Sequence, residues 1–217
     1  MEVDPARLPR WLAGFRERHG ELDVSAGAGA LTVTGRDGVS ARLHPPPGAL
    51  LGGDLAEFIA HARAPRTLGL LLARKGAAAV GVAVGEELRR HKVDSWYVQS
   101  RTAAGGQSQQ RFARRRANQA AAAAGKAADL AARVLLPVAD TLTALVTGGD
   151  RSTVEKILSD PRLAPLRARR AERHLPVPTP NLAVLRAAVP AARAVVIHLP
   201  PETLGHDDAT AGMVSPS

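Results

Sequence analysis

The chain of 217 residues carries 29 lysines and arginines against 20 aspartates and glutamates, a formal charge of +9, and no cysteine. Disulfides, thiolate catalysis and cysteine-based zinc sites are thereby excluded, and a polyanionic partner is favoured, because neutralising phosphates releases counterions. The only aromatic residues, Trp11, Phe15, Phe58, Trp96, Tyr97 and Phe112, leave the core to Leu, Val and Ala and argue against a broad base-stacking platform.

The opening residues, MEVDPARLPRWLAGF, place acids and prolines where a signal peptide needs a basic start and an apolar run. No apolar run reaches the roughly 18–20 residues of a membrane span. A cytoplasmic protein without a membrane partner is expected. Residues 5–19 set Leu8, Trp11, Leu12 and Phe15 at helical spacing, with an end near Gly20. Short strands follow in LDV, ALTVT and VSARL, the last two joined by a turn at Arg36-Asp37-Gly38. His44-Pro-Pro-Pro-Gly48 breaks regular structure, and Asp54 is placed to cap a short helix that stops before Pro65.

Residues 67–100 read as successive strands punctuated by Gly76, Gly85 and Asp94. The first two are apolar almost throughout, as for central strands covered on both faces. Glu86 to Lys92 is charged and reads as an edge strand or a turn. A long alanine-rich helix is expected from about Gln109 to Leu136. Its small-residue stripe (Ala113, Ala117, Ala120, Ala124, Ala128, Ala131, Leu135) is suited to close packing on a sheet. Gly125 weakens it and Pro137 marks its end. TLTALVTGG then reads as a buried strand, Ser152 as the cap of a helix over TVEKILSD, and residues 162–173 as an arginine-rich stretch. HLPVPTP is an extended connection, NLAVLRAAV a helix and RAVVIHL a final strand. Residues 200–217 are small and polar and are expected to be a disordered tail. The pattern is a mixed-sheet α/β domain over residues 1–199. Residues 1–66 form an N-terminal helix and meander, and residues 67–199 form the core.

The seven histidines form no close pair at zinc-ligand spacing with a nearby acid. The phosphate-binding loop, the dinucleotide fingerprint and the nucleophile elbow are all absent from the sequence. One stretch concentrates chemistry. Between Asp94 and Asp129 there is no acidic residue, while Arg101, Arg111, Arg114, Arg115, Arg116 and Lys126 fall in the interval. Arg111 and Arg115 share a helix face, and a helix N-terminus adds free N–H groups and a positive field, which together favour phosphate. Gly105-Gly106 before the helix lets the backbone approach a substrate and offer an N–H to developing negative charge.

Gly105-Gly106-Gln107-Ser108, followed by Arg111-Phe112-Ala113-Arg114 and Arg116, resembles the catalytic loop of eukaryotic and archaeal class I peptide chain release factors. Their pattern, Gly-Gly-Gln-Ser-x-x-Arg-Phe-x-Arg-x-Arg, fits residues 105–116 without a gap, and the strand–loop–long-helix context extends the likeness over roughly residues 68–150. With no stop-codon-reading domain before the loop and no partner-binding domain after it, the sequence better resembles the VLRF group. These are release-factor-like peptidyl-tRNA hydrolases of ribosome quality control and rescue. Lys92-Val-Asp-Ser-Trp-Tyr97-Val-Gln-Ser-Arg101 looks like their basic and aromatic approach strand.

The resemblance implies an RNase H-like mixed sheet with packed helices and a catalytic loop between a strand and a long helix. It implies hydrolysis of the peptidyl-tRNA ester in the large ribosomal subunit, without metal or cofactor, by a monomer. Gly105, Gly106 and Gln107 would be catalytic. Lys92, Arg101, Ser108, Arg111, Arg114, Arg115 and Arg116 would contact rRNA and peptidyl-tRNA. Gln109 is the alternative catalytic residue in a shifted register. Two other readings stand beside this one. The first is a non-catalytic ribosome- or tRNA-binding factor. The second is a nuclease, which would need Glu86, Glu87 and Asp94 gathered around metals.

Overall fold

The computed structural model describes residues 1–96 and 108–199. The chain opens with β1 (Glu2–Val3) and α1 (Leu8–His19), then the meander β2 (Asp23–Gly27), β3 (Ala30–Thr34) and β4 (Ser40–His44), and α2 (Leu55–Arg63). Gly20, with φ +81°, ends α1 by donating its N–H to the Arg16 carbonyl. Ala28 and Gly29 both take positive φ in the two-residue turn between β2 and β3, the geometry that matches strand twist in tight hairpins. Asp54 caps α2 as expected, its carboxylate accepting from the Glu57 N–H at 2.8 Å.

The second half contains β5 (Thr67–Arg74), β6 (Ala77–Val84), β7 (Glu87–Ser95), α3 (Ser108–Leu135), β8 (Ala144–Gly149) and α4 (Arg151–Leu158). It ends with α5 (Ala164–Ala168), β9 (Arg170–Leu175), α6 (Leu182–Arg193) and β10 (Val195–His198). Two five-stranded sheets result. The first runs β1-β10-β4-β3-β2 and is antiparallel throughout. The second runs β7-β6-β5-β8-β9, antiparallel among β5, β6 and β7 and parallel from β5 through β8 to β9. The fold is mixed α/β, as expected.

The charged stretch after Gly85 is an edge strand, β7, and the apolar β5 and β6 are central strands covered on both faces. Leu71, Ala73, Ala78, Val80 and Val82 face α3, α4 and α5, while Leu68, Leu70, Leu72, Ala79 and Ala83 face α6. This period-2 split of an apolar run is what a sheet with helices on both sides requires. A separate core joins α1 and α2 to the first sheet, through Leu8, Leu12, Phe15, Phe58, Leu31 and Leu43, all at most 5% exposed.

Three local details differ from the sequence reading. The arginine-rich stretch, to which the sequence assigned no element, is a short helix, α5, and a strand, β9, with Leu163 and Leu166 buried in the layer that holds α3. Asp150, not Ser152, caps α4. The final strand, β10, does not extend the second sheet; it inserts between β1 and β4 of the first, where Val195 and Ile197 bury fully. Arg173 of β9 donates to the carbonyls of Ala191, Ala192 and Ala194 at 3.3, 3.3 and 2.6 Å, satisfying the last turn of α6 as the chain crosses between sheets.

Gly149 closes β8 at φ +94°, where a Cβ would overlap the Ala73 carbonyl oxygen of the neighbouring strand. Gly27 is open, with nothing within 4 Å of an added Cβ. Urea unfolding should therefore show Gly149→Ala destabilised by about 2–3 kcal/mol, and Gly27→Ala neutral or stabilised by up to about 1 kcal/mol.

Candidate functional site

The site is built at one edge of the second sheet. β7 runs antiparallel to β6, which runs antiparallel to β5, so β7, β5 and β8 all end on the same side. There the Trp96 N–H donates to the Gly76 carbonyl at 2.8 Å, extending the β6–β7 ladder by one residue before the chain enters residues 97–107. The β5–β6 turn, with Arg74, Lys75 and Gly76, and the N-terminus of α4 share this edge. In open α/β sheets the carboxyl ends of parallel strands are the usual place for ligands.

α3 returns from this edge toward the start of β8. Its 28 residues span roughly 42 Å, whereas the eight-residue β5 spans roughly 26 Å. Burial tells which part of the helix overlies the sheet. Ala127, Ala128, Leu130, Ala131, Val134 and Leu135 are at most 5% exposed, Ala123 and Ala124 are half-buried, and Arg114 and Asn118 are exposed. The expected small-residue stripe is thus real from Ala124 onward, and Leu130 and Val134 widen it. Ala113 and Ala117 lie outside the described side chains. α3 is thus roughly 16 Å longer than β5.

Gly105, Gly106, Gln107 and Arg101 lie outside the described residues, as do the side chains of Ser108, Gln109, Arg111, Arg115 and Arg116. α3 begins at Ser108, the residue after Gln107, so residues 108–116 occupy its first turns and Arg114 is exposed there. Lys92 is exposed on β7 opposite Val80. Lys92 and Arg114 are therefore both open to solvent on elements that flank the loop.

The second arginine-rich stretch is employed differently. Arg162 binds Asp160 at 2.7 Å and Asp129 at 2.8 Å, and Arg170 binds Glu155 at 2.6 Å. Arg167 donates to the Leu158 carbonyl and Arg169 to the Leu142 carbonyl, at 2.9 and 2.8 Å. Together with Arg173, these side chains tie α3, α4, α6 and β9 to one another and are not a phosphate-facing group.

The acids needed by a nuclease are dispersed. Glu86 pairs with Arg193 at 3.0 Å, Glu87 pairs with Arg89, and Asp94 accepts the Ser95 N–H at the far end of β7. Among the described residues, no group of three or more His, Cys, Asp or Glu could hold a metal ion. His174 is bonded to the buried Thr147 hydroxyl and to the Gly149 carbonyl, each at 3.0 Å, and His19 to Asp37 at 2.8 Å. No described helix is long and apolar enough to cross a membrane.

Sequence reasoning missed a cleft beside α3. It lies between Trp96, the β5–β6 turn, the Ala120–Ala124 face of α3, and Thr153 and Lys156 of α4. The Arg74-Lys75-Gly76 turn was a legible signal, whereas Lys156 becomes relevant only once α4 is docked.

A family model described as the Actinobacteria/chloroflexi VLRF1 release factor (acVLRF1) matches residues 66–198, from the approach to β5 to the end of β10. One matching chain of known structure, titled "Archaeal protein", is 16% identical, with a TM-score of 0.38 over 82% of this chain and 51% of its own. This chain thus spans about half the length of that one. No curated protein matches it.

The cap of α4 is testable by pH. Asp150 accepts from the Ser152 hydroxyl at 2.7 Å and the Thr153 N–H at 2.9 Å, and these bonds hold its carboxyl below the ordinary value. A carboxyl depressed in the folded state contributes fully above its unfolded pKa, and the contribution is lost as pH falls through the folded one. Asp150→Ala should cost about 1 kcal/mol near pH 7, and the gap to wild type should narrow below about pH 4 in denaturation curves.

Proposed function

The chain belongs to the Actinobacteria/Chloroflexi VLRF1 release-factor family, and on that footing we propose that it hydrolyses the ester linking a nascent peptide to tRNA on stalled large ribosomal subunits. The family points to a role in translation termination or ribosome rescue. The observation that carries the finer reading is the length of α3 ahead of its buried part. A helix anchored in the core at Ala127–Leu135 runs roughly 28 Å from Ser108 to that anchor, and in the sequence Gly105-Gly106-Gln107 immediately precedes it. Such an arm is the shape needed to bring a short loop into a narrow cavity that the body of the protein cannot enter.

The arginines at the start of the arm work as positioning charges. Arg111, Arg114, Arg115 and Arg116, with Arg101 and Lys92 alongside, neutralise rRNA and tRNA phosphates. Ser108 adds a hydroxyl at the first turn, where free N–H groups already favour anions. Like charges at Arg111 and Arg115 cost a few tenths of a kcal/mol on an isolated helix, a cost relieved when phosphate sits between them.

The chemistry at the tip is acyl transfer to water. Water adds to the ester carbonyl carbon, the bond from that carbon to the 3′ oxygen of the terminal adenosine breaks, and the 3′ oxygen takes up a proton. The peptide leaves with a free carboxylate. The Gln107 backbone N–H donates to the developing oxyanion or the leaving oxygen, a contribution of roughly 3–4 kcal/mol. Its side chain places the water and keeps out bulkier nucleophiles, and the two glycines let the backbone come close enough. No step needs a metal or cofactor.

In single-turnover release from purified nascent-chain complexes, Gln107→Ala should slow peptide release by about 100-fold. Gln107→Pro, which also lacks the N–H, should slow it at least as much. Gln109→Ala should stay near wild type, and all three should bind the complexes normally. A release defect that follows Gln109 would move the catalytic role there, and equal loss of binding and release in the Gln107 variants would mean that the loop only docks.

A further inference from the structure

We infer that α1 carries a second RNA-contact surface, on which a single strand of RNA lies with its phosphates on Arg7, Arg10 and Arg18.

The surface is one wall of a groove. The groove has a volume of about 630 Å³, within the range of ligand sites, and runs between α1 and the edge strand β1. Arg7, Arg10, Trp11, Gly14 and Arg18 line it from the helix side. At 3.6 residues per turn these five fall within an arc of about 100°, and Arg7 to Arg18 covers about 16 Å along the axis. Leu8, Leu12 and Phe15 use the neighbouring arc to reach the core, so the groove face is not needed for folding. All three arginines are exposed, and among the described residues none of them forms an ion pair. The place of one is fixed by the chain itself. A Cβ on Gly14 would lie 3.8 Å from an Arg18 guanidinium nitrogen, so Arg18 folds back over Gly14, one turn toward Arg10. Trp11 is half-buried and stacks on the buried Phe15, with ring centroids 5.2 Å apart and planes 17° apart, which fixes the indole from the core side.

A guanidinium fork grips phosphate and carboxylate alike, so the other wall decides between them. Glu2 and Asp4 line that wall. A carboxylate-rich peptide would meet like charge there. An RNA strand brings phosphates for the arginines together with 2′-hydroxyl and base N–H donors for the two carboxylates, and a duplex keeps its base faces stacked away from Trp11. The surface lies in residues 1–65, ahead of the segment that matches the release-factor family, and shares no residue with the arginine cluster of α3. A second point of contact makes RNA binding bivalent and adds affinity without touching the loop. The inference rests on the release-factor reading only for the source of the RNA.

The test follows the Trp11 indole N–H in nitrogen-15 NMR spectra of the full chain. The chain has two tryptophans, and the signal is identified by its loss in Trp11→Phe. The probes are a twelve-nucleotide single-stranded oligouridylate, a blunt RNA duplex of equal length and an oligoglutamate of equal length. The single strand should shift the Trp11 signal saturably and the other two should not. Arg7→Gln, Arg10→Gln and Arg18→Gln combined should weaken that response by about 10-fold or more and lower the slope of log affinity against log salt by about 2, at about 0.7 per phosphate of a single strand. Gly14 supplies a variant that keeps every arginine. Gly14→Glu sets a carboxylate four residues from both Arg10 and Arg18 and should weaken the response by about 10-fold, whereas Gly14→Ala should bind as wild type does. Replacing Arg111, Arg114, Arg115 and Arg116 by Gln should leave the Trp11 response in place. An unmoved Trp11 signal, an equal shift with the duplex or with oligoglutamate, undiminished affinity in the triple variant, or loss of the response with the α3 arginines would each overturn the inference. The titration contains no ribosome and no ester, so a failure here leaves the hydrolase reading standing, and the reverse also holds.

Discussion

Everything distinctive about this molecule depends on the packing of the last third of α3. Leu130, Val134 and Leu135, with Ala127, Ala128 and Ala131 between them, are removed from water against β5, β6, α4 and α5. Burying each of the three large side chains is worth about 1.5–3 kcal/mol, enough to hold that segment helical without help from the rest. The consequence appears at the other end. A free segment of a dozen residues is marginal as a helix because its nucleus is costly, but one that continues an anchored helix skips nucleation and pays only for propagation. Alanine makes that propagation favourable over residues 117–124. The first half of α3 is therefore a helix extended from a buried seed, and the arginines at its start ride on it.

The charge of the molecule divides along the same line. Arginines 162, 167, 169, 170 and 173 are spent on carboxylates and on helix-end carbonyls. They stabilise the junction of α4, α5, β9 and α6, and they explain part of the +9 without any polyanion. The cations at the carboxyl edge of the second sheet are of another kind. Lys92 and Arg114 are exposed, and Arg74, Lys75 and Lys156 rim a cleft with no acid in its lining. Net charge alone did not separate these populations; partners and position did.

Much of the architecture was legible in the residues. The apolar runs at 68–74 and 77–84 announced central strands, Asp54 stood where a helix cap was needed, and Gly38 and Gly76 marked turns that the fold uses. The misreadings share a physical cause. β9, RAERHL, has neither strand periodicity nor strand composition; it forms because β8 offers it a parallel edge and Leu175 buries at its end. β10 was recognised as a strand, but the sheet it joins is a tertiary choice that local pattern does not encode. The cap of α4 was misplaced by two residues because Asp150 and Ser152 are both good caps, and the backbone turns at the first. At the site, the motif of residues 105–116 was readable because it is contiguous. The cleft was not, since it gathers Trp96, Lys75, Ala124 and Lys156 from four separate elements.

Which bond is broken separates an esterase from a nuclease. Nascent-chain complexes treated with the protein in water enriched in oxygen-18 provide the most direct reading, by mass spectrometry of the released peptide and of the tRNA 3′ end. Ester hydrolysis at the acyl carbon predicts one heavy oxygen in the peptide's new carboxylate, together with a full-length tRNA ending in an unlabelled terminal adenosine. A shortened tRNA still joined to its peptide, or label at a tRNA phosphate, would contradict it and return the protein to the nucleases.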